Sequence, residues 1–403
     1  MILSSKGGLI AQIRVIKKVM EFNKKYDLRI VYLILSYIVW GIFWGAWGVL
    51  LPAVKTAIGA TDKSLGFALI GITVGALPAM LGTGFIVKKF SKWSLFYVLL
   101  FFAGSIAAIT IVNTPLTLAF VLFFVGASSG MLDVIMNSGV ATLEALTDKE
   151  YFNYAHAAFP VAVIFTSPTV GYVRQIGIDK NIILLTMAGI IAFVGLLNLK
   201  LDMKDESKKN IKDESVGYSS VIFKKVILLL GTIGLIVHLL ENAVEQWSTI
   251  YLEQSLMSTP ALASLGITGY MAMLFIGRLI AQKITGKYPD KYILTISSLI
   301  SFLGFIIVSI AQTSIMVIIG YSLAGLGIAP IIPLIFSMTG KTTTPAKRVK
   351  AISSVTIIAY TGYLISPPIV GYISNIFSLN TAWIFLTITA VLLVFLITRL
   401  KVK

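Results

Sequence analysis

Polar residues spaced four apart stand out twice inside strongly apolar stretches of this 403-residue chain. In "GMLDVIMNSG", Asp133 and Asn137 fall on one face of a helix, a carboxylate beside a carboxamide suited to binding hydroxyls or exchanging a proton. In "ENAVEQWSTIYL", Glu241 and Glu245 share a face in the same way, with Asn242 and Gln246 beside them. Two carboxylates one turn apart repel when both are ionised, so the pair favours holding a proton. Glu241 is therefore the first candidate for a proton carrier, with Asp133 and Glu245 beside it. The alternative for each acid is structural, a buried carboxyl satisfied by a neighbouring helix.

Around these acids lie side chains fit to hold a small solute. Trp40, Trp44 and Trp47 recur on one face of the first apolar stretch, where an indole wall suits either ring stacking or plain helix packing. Tyr360 and Tyr363, with Thr356 one turn before, offer hydroxyls from late in the chain. His156 opens another stretch, "NYAHAAFPVAVIFTSP", where an imidazole serves as hydrogen-bond partner or proton relay. His238, three residues before Glu241, is placed to pair with it. The expected substrate contacts are thus Trp40, Trp44, Asp133, Asn137, His156, Asn242, Gln246, Tyr360 and Tyr363.

The elements that must position these groups are membrane helices. The chain is 57% hydrophobic and 12% charged, with a mean hydropathy of +0.92, about half the charge of a soluble domain, which runs near 25%. A spanning helix needs roughly 20 apolar residues. Such stretches occur at about 29–50, 66–87, 94–112, 116–141, 156–177, 181–199, 223–252, 261–282, 291–311, 314–338, 350–376 and 379–399. An ionisable group at that depth is costly unless paired or wetted, which makes Asp133, Glu241 and Glu245 functional candidates by position.

A net charge of +16 would point to nucleic acid in a soluble protein; here it reads as the positive-inside bias. With both termini cytoplasmic, Lys55, Lys63, Arg174 and Lys180 alone among the 33 Lys and Arg fall on outer loops, and the run from Arg278 to Lys291 lies inside. Residues 1–28 carry apolar positions at helical spacing among basic ones, an expected interfacial helix on anionic lipid or a solvated tail, with no cleavable leader pattern. The chain has no cysteine and two histidines, so neither disulfide nor transition-metal chemistry is expected, and no cofactor.

The chain also repeats itself. "SPTVGYV" at 167–173 returns as "PPIVGYI" at 367–373, "SLG" at 64–66 as "SLG" at 264–266, and Trp47 as Trp247, all at one ungapped offset of 200. Two homologous six-helix halves follow, 29–199 and 223–399, joined by a charged cytoplasmic linker at 200–222. That is the layout of the major facilitator fold: an all-α membrane protein with 12 transmembrane helices in two pseudo-symmetric six-helix bundles. Two bundles rocking about a midplane site imply transport by alternating access.

Two motifs point elsewhere. "GASSG" at 126–130 fits the G-x-S-x-G pattern of serine hydrolases, with Ser128 or Ser129 as nucleophile and His156 as base of an intramembrane protease. It lies inside an apolar helical run, where Gly and Ser permit close packing. "GKTTT" at 340–344 resembles the end of a phosphate loop, but Ile335 stands where its first glycine belongs.

The stretches "LPAVKTAIGATDKSLGFALIGITVGALPAMLGTG", "GMLDVIMN", "HAAFPVAVIFTSP" and "ENAVEQWSTIYL" together resemble the fucose permease-like (fucose-galactose-glucose:proton symporter) branch of the major facilitator superfamily and its bacterial relatives. The likeness spans nearly the whole chain. It implies a proton symporter and passes the role of the branch's span 4 acid to Asp133. The branch's span 1 acid has no counterpart in "VYLILSYIVWGIFWGAWGVLLP", which moves weight to Glu241. The span 2–3 loop "GTGFIVKKFSKWS" lacks the aspartate of the superfamily's loop motif, while Gly277 and Arg278 stand at the corresponding place in the second half. The expected protein is a non-enzymatic, proton-coupled carrier of a monosaccharide or similar solute. Its setting is a bacterial or archaeal cytoplasmic membrane, and its partners are that solute, protons and lipids. The competing transport reading is an exporter of amphiphilic or drug-like compounds.

Overall fold

The computed structural model describes residues 28–90, 93–147, 150–199 and 225–400. The basic segment up to residue 27 and the linker 200–222 lie outside them. Helix α1 spans Leu28–Ala57, α2 Asp62–Phe90, α3 Ser94–Ala108 with a 3₁₀ turn at Ile109–Ile111, α4 Pro115–Thr147, α5 Phe152–Gln175 and α6 Lys180–Asn198. In the second half α7 spans Lys225–Ile250 and runs on as a π turn, Tyr251–Ser255. Helix α8 spans Pro260–Ile284 and α9 Asp290–Ile310. Helix α10 comes in two pieces, Ser314–Ile328 and Ile331–Lys341, before α11 Pro345–Ile376 and α12 Leu379–Thr398.

Twelve helices among the described residues are long and apolar enough to cross a membrane, one for each expected stretch. The differences lie at their ends. Helix α1 continues to Ala57 and α4 to Thr147, because a helix keeps closing backbone hydrogen bonds past the point where its sequence stops being apolar. Helix α10 breaks at Ala329 and Pro330, since a proline ring has no N–H to give and crowds the preceding turn. Four helices that begin at one end of the molecule carry side-chain caps there: Asp179 on α6, Thr259 on α8, Thr313 on α10 and Ser378 on α12. At the opposite end the Glu144 carboxylate accepts from the backbone N–H groups of Tyr151 (2.6 Å) and Phe152 (2.7 Å), closing the start of α5.

The packing is two-fold, as the sequence repeat requires. In the first half α1 packs on α5, α2 on α4 and α3 on α6; in the second α7 packs on α11, α8 on α10 and α9 on α12. The α2–α4 contact explains "GASSG". Gly71 and Gly75 rest on the Ala119 and Phe123 backbone of α4, Gly126 and Gly130 rest on Ile72 and Ala76 of α2, and a Cβ on Gly126 would strike the Ile72 backbone. Without a hydrophobic drive between helices in lipid, such small-residue stripes let dispersion and backbone contact hold them together. Ser128 between them is buried and donates to the Phe124 and Val125 carbonyls, so the hydrolase reading finds no free nucleophile there.

The halves meet along two seams, α5 on α8 and α2 on α11, and the repeated motifs lie in them. Gly171 of "SPTVGYV" rests on Ser264 of the second "SLG", and Gly371 of "PPIVGYI" rests on Gly66 of the first. Charged bonds gather at this same end. Arg174 makes a forked bond to Glu253 (2.5 and 3.1 Å) and also holds the Val49 carbonyl (2.5 Å). Lys55 pairs with Asp62 and donates to Gln254 (2.6 Å), and Ser374 donates to Asp62 from across the seam. Lys63 sits over the Tyr372 ring at 5.6 Å.

Candidate functional site

Beneath the seams, between the halves, lies a cavity of about 530 Å³, a size that suits one small ligand. Its wall takes Trp40 and Trp44 from α1, Asp133 and Asn137 from α4 and His156 from α5. From the second half come Glu241, Asn242, Glu245 and Gln246 of α7 and Tyr360 and Tyr363 of α11. All the residues expected from sequence to carry protons or touch substrate thus border one space.

On the first-half wall Asn137 is the hub. Its Nδ2 donates to Asp133 Oδ1 (2.9 Å), and its Oδ1 accepts from the Tyr37 hydroxyl (2.6 Å) and from His156 Nε2 (2.8 Å). Because the amide nitrogen is turned to a carboxylate, its oxygen faces the other two groups, which makes His156 a donor through Nε2. The Tyr37 and His156 rings also pack at 5.3 Å. Above this network the indoles of Trp40 (2.8 Å) and Trp44 (3.3 Å) both donate to Ser129 Oγ, and Phe159 packs on Trp40 at 4.7 Å. Those bonds fix both ring planes against the cavity, and Ser129 is occupied as their shared acceptor.

On the second-half wall the Tyr363 hydroxyl donates to Glu241 Oε2 (3.0 Å). Helix α11 is brought to α7 at this level by Gly362, against which the Leu235 backbone lies, and by Ser366, which donates to the Leu239 carbonyl (2.7 Å). The Glu245 carboxylate has no hydrogen-bond partner among the described residues, although its backbone is pinned against Gly48 of α1. Gln246 is only 3% exposed, and its Oε1 accepts from the Trp47 indole across the halves (3.1 Å), which ties it to the seam.

His238 could pair with Glu241 by its spacing, but its ring stacks on Tyr363 at 4.5 Å and its Nδ1 has no partner among the described residues, so the tyrosine takes the glutamate instead. Arg278, at the end of the eighth apolar stretch, lies within α8 and borders the cavity. Thr356 turns its hydroxyl to the Ile352 carbonyl (2.9 Å). Tyr37 and Ser129 were also missed. Tyr37 falls three residues before Trp40 on the same helical face, a signal available in the sequence; Ser129 was hidden inside a packing motif.

Residues 232–403 match the model of the Major Facilitator Superfamily. A Yersinia pestis protein described as an uncharacterized MFS-type transporter is 28% identical over 356 residues, covering 87% of this chain and 90% of its own. The solved nucleoside transporter NupG superposes with a TM-score of 0.80 at 14% identity, covering 94% of this chain and 100% of that one. FucP, a Major Facilitator Superfamily transporter solved in the outward conformation, gives 0.57 at 17% identity over 93% of this chain and 98% of that one. The resemblance to the superfamily is borne out over residues 232–403 by the family match, and the solved structures share the fold along the chain.

Proposed function

Taking as premise that this chain carries the major facilitator fold, we propose that it is a secondary active transporter working by alternating access. Its solute is small and polar, of monosaccharide size, and its movement is coupled to protons. One observation carries the reading: a single cavity, walled by polar and aromatic groups from both halves, lies under seams that close one end. The wall runs toward the other end as far as His156 and Arg278, both exposed and both near helix ends remote from the seams. With the termini in the cytoplasm of a bacterial or archaeal cell, the seams face outward and the cavity opens inward.

Glu241 is the proposed proton carrier. Protonated, it can accept the Tyr363 hydroxyl through its carbonyl oxygen; ionised, it is held by the same bond, so both states are served without repacking. Asp133, bonded through Asn137 to Tyr37 and His156, is the first-half counterpart that reports solute binding to the same space. A second reading, export of amphiphilic compounds, draws support from the Trp40, Trp44, Phe159 and Met271 surfaces in the wall.

The test is exchange in proteoliposomes. Labelled hexoses, polyols, nucleosides and an amphiphilic dye are offered in turn, first as counterflow and then under an imposed pH gradient. Counterflow of a hexose or polyol with uphill accumulation under the gradient is expected. Accumulation of the dye alone favours the second reading, and exchange of none of them rejects a neutral hexose, polyol, nucleoside or amphiphile as the solute.

A further inference from the structure

We propose that the solute carries a protonated amine, an amino-substituted sugar or a similar cyclic amine, and that Glu245 and Asn242 receive its ammonium group. The assignment rests on the transport reading and concerns the same cavity.

Three carboxylates, Asp133, Glu241 and Glu245, border the cavity, against one guanidinium, Arg278. The first two are engaged: Asp133 by Asn137 and Glu241 by Tyr363. Glu245 has no hydrogen-bond partner among the described residues. One turn before it, Asn242 is 8% exposed and its Oδ1 is likewise without a partner. An amide oxygen and a carboxylate are both acceptors, and Asn242 Oδ1 in particular is buried with nothing to accept from. Spaced three residues apart on α7, both face the same cavity.

Two hydroxyls of a neutral solute can satisfy both acceptors, but a cation also offsets the excess of three carboxylates over one guanidinium in the wall, and an ammonium, with three N–H groups, does both. The opposite wall fits the rest of such a molecule. Trp40 and Trp44 are half-buried, with their indole N–H groups already spent on Ser129, so what they present is π surface, which attracts a cation or a ring's C–H face. Arg278 acts on Glu245 across the cavity but makes no ion pair in contact with it among the described residues, which leaves room at the carboxylate for a donor of the solute.

Matched pairs decide the matter. Purified full-length protein in nanodiscs is titrated with glucosamine against glucose, N-methylglucamine against sorbitol, and phenethylamine against 2-phenylethanol. The amine of at least one pair should bind ten-fold or more tighter than its neutral partner. Glu245→Gln, which keeps the shape and removes the charge, should weaken that amine at least ten-fold, and Asn242→Ala several-fold. Neutral partners that bind as tightly, or Glu245→Gln affinity within two-fold of the parent, overturn the amine assignment; exchange of those neutral partners by the reconstituted protein then leaves the transport reading standing. If no member of any pair binds or exchanges, both readings fall. Should Glu245→Gln not fold, the preference within pairs and the Asn242→Ala titration decide alone.

Discussion

Glu241 and Tyr363 make the simplest case for a proton held in place and then released. The glutamate is buried, its single described partner is a hydroxyl, and Glu245 lies one turn further along the same face. Glu241→Gln keeps a carbonyl for Tyr363 and fixes the neutral state, so counterflow should persist while accumulation driven by a pH gradient is lost. Proteoliposome uptake measured both ways checks it, and uphill accumulation by the variant would move the carrier to Asp133. Asp133→Asn should weaken solute binding roughly ten-fold, the worth of about 1.4 kcal/mol. Leu116→Val, at an 80% exposed position on α4, should leave binding unchanged in the same titration. The acids were legible in the sequence because charge is rare at membrane depth and four-residue spacing fixes a helical face. The partners were not, since Ser129 under Trp40 and Trp44, or Tyr363 under Glu241, come from helices distant in the chain. The place of Arg278 on the cavity wall was hidden for a related reason: near a helix end, a cation that faces a cavity and one that faces water look alike in sequence.

At the scale of the helix, the α2–α4 stripe ranks substitutions plainly. Gly126→Leu has to push the Ile72 backbone away, an overpacking that costs about 1–3 kcal/mol, so melting temperature and yield should both fall. Gly104 on α3 has open space around it, with nothing within 4 Å of the point where a methyl group would stand. Gly104→Ala should therefore hold or gain up to about 1 kcal/mol from helix propensity, and thermal unfolding in detergent separates the two. Twelve spans could be read from apolar runs, and the division into two similar sets of six from the 200-residue echo. What escaped was the length of each helix beyond its apolar core and the break in α10, because hydropathy records where lipid is tolerated and says nothing of where backbone hydrogen bonding stops.

For the molecule as a whole, orientation and conformation are separate questions with separate tests. The chain has no cysteine, so single reporters carry no background. Asn113→Cys, in the exposed α3–α4 turn, should react with an impermeant maleimide in intact cells, and Lys287→Cys, in the α8–α9 turn, should not; the reverse result inverts the orientation. To probe the seam, Glu253→Gln weakens the Arg174 fork, a charged bond worth about 1.5–3 kcal/mol. In that background Thr73→Cys, on the cavity wall, should label from the seam side ten-fold faster or more. The glycine contacts along the seam bear on speed as well as position. Where Gly66 meets Gly371 no side chains interlock, so parting them requires no rotamer to change and meets little internal friction. The resistance sits in the few ions beside them, which must be rehydrated one after another. Opening should therefore quicken with ionic strength and respond only weakly to the stiffness of the surrounding bilayer.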